Sequence, residues 1–415
     1  MTKYSEMVIE PMRIRYLIEK CMYLAMNGRP GPVWLDIPLD VQGAFIEEDE
    51  LIGFDKEKYE AGEDGWAYES PYKKDLDDKT KLDLSDMPKP LSDEVLKEIV
   101  EKIKNSKRPV FNAGNGIRIG NAHKEFLELA DLLNIPVVVG WNSEDCMWVD
   151  HPLYAGRPGN FGDRPGNFTV QNSDLVLSVG SRLSLRQVGF NCKGWAREAF
   201  TIVNDIDGEE LKKPTVHIDI PVHADCKVFM RQLIDFLKKE KTPVFEGGKG
   251  LYDMSWTETV KYWLKKYPVC KDEFLQNDDS KKANVYAFIK YIGDSAKENQ
   301  ITVVGNGSAC VVGGHSYIIK KGQRFISNSA VASMGYDLPA AIGAYMANLD
   351  GKRYDKELIL ITGDGSIQMN LQELQTIVHH RMNIKIFLIN NEGYHSIRQT
   401  QSRYFEDESL VGIGP

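Results

Sequence analysis

The sequence predicts an α/β protein made of consecutive parallel-sheet domains with helices on both faces. Two observations carry that reading. Short apolar runs of strand length alternate with segments of helical period through most of the chain, the pattern of parallel strands joined by helices. Three of those runs end in glycine-flanked turns, Gly114-Asn115-Gly116, Gly305-Asn306-Gly307 and Gly363-Asp364-Gly365. A length of 415 residues leaves room for two or three such domains.

In chain order, residues 1–45 form a short first piece, and 46–90 read as an exposed linker, because that stretch is acidic, poor in aliphatic residues and closes on Pro90. Ser92 can cap a helix with Val95, Leu96, Ile99, Val100 and Ile103 on one face. A strand Pro109–Ala113, a helix near Ala122–Leu133 and strands at Pro136–Val139, Asp174–Val179 and Thr215–Asp219 complete a domain over 91–237. The charged segment KKEKTPVFEGGK near Lys238–Lys249 suits a second boundary. A domain over 250–415 follows, with a helix around Val285–Ile292, a strand Ile301–Val304, a helix Leu338–Ala347 and strands at Leu358–Ile361 and Ile384–Ile389; no helix is expected after the last of these. The repeat Arg157–Phe161 and Arg164–Phe168 is too short to be a structural unit.

Composition narrows the function classes. With 51 Lys+Arg against 60 Asp+Glu and no basic cluster, the chain is a poor partner for nucleic acid. No apolar run approaches the roughly 20 residues that span a bilayer, and the polar start does not read as a secretory signal. A cytoplasmic protein without membrane contact is expected. Six dispersed cysteines with no Cys-x-x-Cys pair suggest neither zinc nor a disulfide framework. Small-molecule chemistry is the remaining class.

None of the glycine turns completes the dinucleotide fingerprint, since Ile119, Cys310 and Gln368 stand at the third glycine position. The third turn differs in its surroundings. Gly363-Asp364-Gly365-Ser366 closes an apolar strand, a helical stretch follows, and the strand Ile384–Ile389 ends in Asn390-Asn391. Successive parallel strands end on the same edge of a sheet, so the Asp364 carboxylate can meet the amide oxygen of Asn390 or Asn391. One carboxylate and one amide oxygen, completed by waters and phosphates, suit Mg²⁺. Gly365 and Ser366 would offer backbone amides and a hydroxyl to the same phosphates. Read singly, Asp364 is a helix cap and Asn390-Asn391 a turn; the joint spacing favours a diphosphate bridged by magnesium.

On these residues the sequence resembles the thiamine diphosphate-dependent enzymes of the acetolactate synthase, pyruvate decarboxylase and benzoylformate decarboxylase superfamily, over nearly the whole chain. The segment Gly28–Pro38 looks like the close of that family's pyrimidine-binding domain, 91–237 like its central Rossmann-like domain and 250–415 like its diphosphate-binding domain, giving the thiamine diphosphate-binding fold. The resemblance implies thiamine diphosphate and Mg²⁺ as cofactors, with Asp364, Asn391 and the carbonyl of Gly393 as metal ligands. It implies cofactor contacts from Gly305, Asn306, Gly307, Ser308, Ser333, Gly363, Gly365, Ser366 and Tyr394. Met334 would be the apolar wedge beneath a bent cofactor and the Ala332 carbonyl the acceptor for its pyrimidine amino group. FAD in the central domain is a further possibility, with Gly114, Gly116, Arg182 and Asp207 as contacts, beside a purely structural central domain.

The implied activity is decarboxylation of a 2-keto acid followed by carboligation, as in acetolactate synthase; the alternatives are a simple 2-keto acid decarboxylase and a non-catalytic protein of the same fold. A nicotinamide dehydrogenase is the reading from another class. His395 and Arg398 are candidates for a substrate carboxylate. The family's activating glutamate is expected upstream of Met1, because Glu6, Glu10 and Glu19 do not match it, and the chain also ends before the family's last helices. A fragment of a longer enzyme, with little turnover alone, is therefore expected. The resemblance further implies a homodimer or homotetramer.

Overall fold

The computed structural model describes residues 2–63, 88–240, 245, 247–276 and 282–405. The chain forms two compact units, Met1–Lys89 with Ile206–Gly208, and the remainder from Pro90 onward. In the first unit β1 (Tyr4–Met7) and β2 (Val33–Asp36) pair in parallel, joined through the helix Ile14–Met26, whose Leu17 and Leu24 are buried. Of the expected linker, 64–87 lie outside the described residues. The described part is not bare chain: it holds a helix Lys56–Glu60, and the Phe54 ring lies 5.3 Å from both Tyr23 and Tyr59. Its aromatic residues anchor it where aliphatic ones are scarce. Glu6 pairs with Arg13 and Glu19 with Arg15.

The second unit contains two parallel sheets. The first is built of β3 (Pro109–Ala113), β4 (Val137–Val139), β5 (Leu175–Val179), β6 (Phe200–Asp205) and β7 (Ile220–His223) in the order β4-β3-β5-β6-β7. Strands β3, β4 and β5 are buried along their whole length, as a sheet covered on both faces requires. The helix Asp93–Asn105 buries Leu96, Ile99, Val100 and Ile103, the face read from the sequence. Ser92 stands at its N-cap without a side-chain bond to a helix amide.

One expectation for this layer is corrected. The strand placed at Thr215–Asp219 lies later, at Ile220–His223, because pairing with β6 begins in earnest only at Ile202↔Ile220. The strand β6 itself was not foreseen. The helix Trp256–Lys266, inside the domain expected from residue 250, packs on the core of the first sheet, with Trp256, Val260 and Trp263 in the same cluster as Val110 and Phe111. The Trp256 indole donates to the Pro109 carbonyl at 3.0 Å. Of the segment near Lys238–Lys249, residues 241–244 and 246 lie outside the described residues.

The second sheet has the order β11-β10-β8-β9, with β8 (Ile301–Val304), β9 (Arg324–Ser327), β10 (Leu358–Gly363) and β11 (Ile384–Ile389) all parallel. Helices Val285–Ser295, Ser308–Ser316 and Asp337–Ala347 cover it. The short strand β9 and the helix His395–Tyr404 were not expected; the second contradicts the reading that no helix follows Asn391. Residues 406–415 lie outside the described residues. Among the described residues no helix is long and apolar enough to cross a membrane.

Candidate functional site

Both sheets of the second unit reverse their strand order once, between β3 and β5 and between β8 and β10. In open parallel sheets, ligands enter the crevice at the carboxyl ends of the strands flanking such a reversal. The glycine turns stand at both places.

At the β3–β5 reversal the crevice is filled by the chain itself. A Cβ on Gly114 would stand 2.2 Å from the Ser181 Cα, and one on Gly116 2.8 Å from the Gly180 Cα. The Gly114 amide donates to the Val179 carbonyl and the Gly116 amide to Gly180. These glycines serve backbone packing, and their two amides are engaged with main-chain carbonyls. Arg182 pairs with Glu210 at 2.6 Å and Asp207 with Arg29.

At the β8–β10 reversal the outcome is the opposite. Nothing lies within 4 Å of where a Cβ on Gly307 or Gly363 would stand. Gly307 takes φ 68° just before the helix Ser308–Ser316, a conformation glycine adopts without strain. Asp364 follows β10 directly, and Asn391 stands two residues past β11. Because Gly363 pairs with Ile389, the two side chains emerge at one rim.

They meet there. Asp364 Oδ2 accepts from the Gly393 amide at 2.8 Å and Oδ1 from the Gly365 amide at 3.0 Å. One end of the Asn391 amide lies 2.5 Å from the Gly393 carbonyl oxygen and 3.3 Å from Asp364 Oδ1, while the other end meets Ser308 Oγ at 3.2 Å. With nitrogen turned inward, the amide donates to both neighbours. With oxygen inward, three oxygens converge and a cation is needed to reconcile them. Asn390 instead accepts from the Glu392 amide at 3.0 Å, a local turn that brings Glu392 to φ 62° and Gly393 to φ 104°.

The apolar side of the site comes from the loop before the helix Asp337–Ala347. A Cβ on Gly365 would stand 2.7 Å from the Tyr394 ring and 3.3 Å from Met334 Cε, so Met334, Gly365 and Tyr394 are one cluster. Ala332 adopts φ 57°, a strained value for a residue with a side chain and one found where a site imposes its geometry. Its carbonyl accepts from Asn306 Nδ2, which ties the Gly305–Gly307 turn to this loop. Ser333 Oγ accepts from Asn328 Nδ2 at 2.7 Å.

Other expected roles shift. Ser366 Oγ is buried and accepts from the Gly335 amide at 2.9 Å, so it holds the Met334 loop while its own hydroxyl proton stays free to donate. Arg398 donates to the Asn391 main-chain carbonyl at 2.8 Å and braces the Asn391 turn. Two residues were missed by sequence reading. Asp337, fully buried, accepts from the Thr362 hydroxyl, and a Cβ on Gly305 would lie 2.5 Å from its Oδ2. Asn370 donates to the Gly335 carbonyl at 2.7 Å. Each is an ordinary polar residue in the sequence, and no local spacing singles it out.

Chemically, the site offers oxygen acceptors and an apolar floor. No three His, Cys, Asp or Glu side chains cluster as a metal site among the described residues, which leaves the mixed carboxylate, amide and carbonyl set. Cys310 sits in the helix Ser308–Ser316, but burial pushes its thiol up to about 12, and a thiol held protonated is no nucleophile.

Comparison with known proteins fits this geometry. Residues 96–233 match the central domain of thiamine pyrophosphate enzymes, and residues 305–412 match their C-terminal TPP-binding domain. Among curated relatives, the probable acetolactate synthase large subunit of Methanocaldococcus jannaschii is 31% identical over 100% of this chain and 64% of its own length. The probable acetolactate synthase large subunit of Methanococcus aeolicus is 28% identical over 97% of this chain and 62% of its own length. The acetolactate synthase large subunit of Lactococcus lactis is 28% identical over 100% and 64%. The chain thus spans a little under two thirds of these relatives. With two domain matches, and with relatives aligned over nearly all of it, this chain belongs to the thiamine pyrophosphate enzymes.

Proposed function

We propose that the chain supplies the diphosphate-binding half of an acetolactate synthase-like enzyme that decarboxylates a 2-keto acid and joins the product to a second carbonyl. The observation that carries this reading is the convergence of the Asp364 carboxylate, the Asn391 amide and the Gly393 carbonyl beside two open glycine positions. Such a set fits a hard cation that keeps waters and binds substrate or cofactor phosphates. Asp364, Asn391 and Gly393 would hold Mg²⁺, and Gly305 to Ser308 with Gly363 to Gly365 would lie along the diphosphate. Thiamine diphosphate, when bound, supplies the carbon nucleophile and electron sink that decarboxylation and acyl transfer require.

The chain's own residues do the rest. Met334 and Tyr394 flank Gly365 and would exclude water from one face of the cofactor. The Ala332 carbonyl, fixed by Asn306, retains a second lone pair for a ring amino group. Ser366 and Asn370 hold the Gly335 peptide, and Asp337 with Thr362 locks the floor beneath Gly305. The proposed division is 1–45 for the end of a pyrimidine-binding domain, 91–237 for the central domain and 250–415 for the diphosphate-binding domain, with the helix Trp256–Lys266 packed on the central layer. A second copy of the chain in a homodimer or homotetramer belongs to the same proposal.

Calorimetric titration with thiamine diphosphate and Mg²⁺, run beside NADH, tests the reading. Saturable binding of the first pair, weakened at least about 100-fold in Asp364→Ala, is expected. Binding of NADH alone would favour a dehydrogenase and overturn it.

A further inference from the structure

The strands of the second sheet run parallel, so its two rims differ. The carboxyl rim carries Asp364 and Asn391. The opposite rim opens on a cavity of about 320 Å³, near the lower end of the range of ligand sites. Ile301 at the start of β8 and Arg324 at the start of β9 line it, with Arg118 and His123 from the central layer and Arg353 and Tyr354 from the loop before β10. The four residues of β8 place this cavity on the order of 13 Å from the Gly305 turn, at about 3.3 Å per residue.

Three guanidinium groups lining one cavity stand out in a chain of net charge -9. Asp145, buried behind them, holds two. Arg118 donates to it twice, from Nε to Oδ1 at 3.1 Å and from Nη2 to the main-chain carbonyl, and Arg324 Nη1 donates to Oδ2. One carboxylate against two guanidiniums leaves positive charge uncompensated. Arg353 adds a third, its guanidinium 5.2 Å from the Tyr354 ring centre and with no carboxylate partner among the described residues. Asp350 also borders the cavity but pairs with Lys352 at 3.6 Å. His123, its Nε2 at 2.8 Å from the Cys146 carbonyl, reports the same field: burial first, then Arg118, push its pKa down to about 4. A guanidinium fork matches the paired oxygens of a carboxylate or phosphate, and Ile301 with the Tyr354 ring offers an apolar wall.

We propose that this cavity is a second ligand site, separate from the thiamine diphosphate rim, for a small organic anion whose carboxylate or phosphate is gripped by Arg118, Arg324 and Arg353. Such a ligand touches both the central layer and the second sheet.

The test uses the full chain with thiamine diphosphate and Mg²⁺ present in excess, so that the carboxyl rim is taken. Inorganic phosphate and butyrate are titrated separately, by calorimetry and by the His123 imidazole resonances. One anion per chain is expected to bind and to raise the His123 titration midpoint, whichever head group is preferred. Arg353→Gln, which strips no buried carboxylate of its partner, weakens that binding about tenfold. Arg118→Lys keeps a cation beside Asp145 but removes the guanidinium nitrogen that Asp145 leaves free for the anion, and also weakens it. Asp364→Ala leaves it unchanged. Binding of both anions weaker than about 10 mM, an unmoved His123, or equal affinity in Arg353→Gln and the parent chain overturns the proposal.

Discussion

Two strand reversals in one unit, at β3–β5 and β8–β10, carry the same glycine-x-glycine signature and have opposite fates. At the first, Gly114 and Gly116 are glycines because the backbone of Gly180 and Ser181 occupies the space a side chain would need. At the second, Gly307 and Gly363 border open space, while their partners Gly305 and Gly365 face the side chains of Asp337 and Tyr394 and not main chain. A glycine pair at a strand end states only that something comes close. Whether backbone or ligand comes close depends on a partner strand that is distant in sequence.

Three substitutions sharpen the contrast. Gly114→Ala forces a methyl group into main-chain atoms that cannot yield, and should cost about 3 kcal/mol or more in denaturant unfolding. Ser366→Ala removes the buried acceptor of the Gly335 amide and should cost about 1–2 kcal/mol, loosening the Met334 loop and with it cofactor affinity. Gly363→Ala meets nothing in the structure and lies at φ -93°, so its stability should stay within about 0.5 kcal/mol while thiamine diphosphate affinity falls. Equal destabilisation by Gly114→Ala and Gly363→Ala would break the comparison.

Much of the second sheet was legible. The runs at Ile301, Leu358 and Ile384 are apolar, of strand length and bounded by turn residues, and the spacing from Asp364 to Asn391 brings both to one rim. The rest depended on contacts that no local pattern records. Strand β6 was missed because its two apolar core residues, Ile202 and Val203, follow a charged stretch, whereas Val216 and Ile218 alternate convincingly in a segment that only approaches the sheet. The helix Trp256–Lys266 has a clear apolar face and a capping box between Ser255 and Glu258, yet nothing in it says which layer that face covers. The supports of the candidate site were hidden for the same reason: Asp337 and Thr362 are 25 positions apart, and Asn306 reaches Ala332 across 26.

The most direct test of the central claim is a titration of the chain with Mn²⁺ in place of Mg²⁺, followed by electron paramagnetic resonance with and without thiamine diphosphate. One Mn²⁺ per chain should bind tightly only when the cofactor is present, and this binding should be lost in both Asp364→Ala and Asn391→Ala. Cofactor-dependent Mn²⁺ binding that survives both substitutions would contradict it.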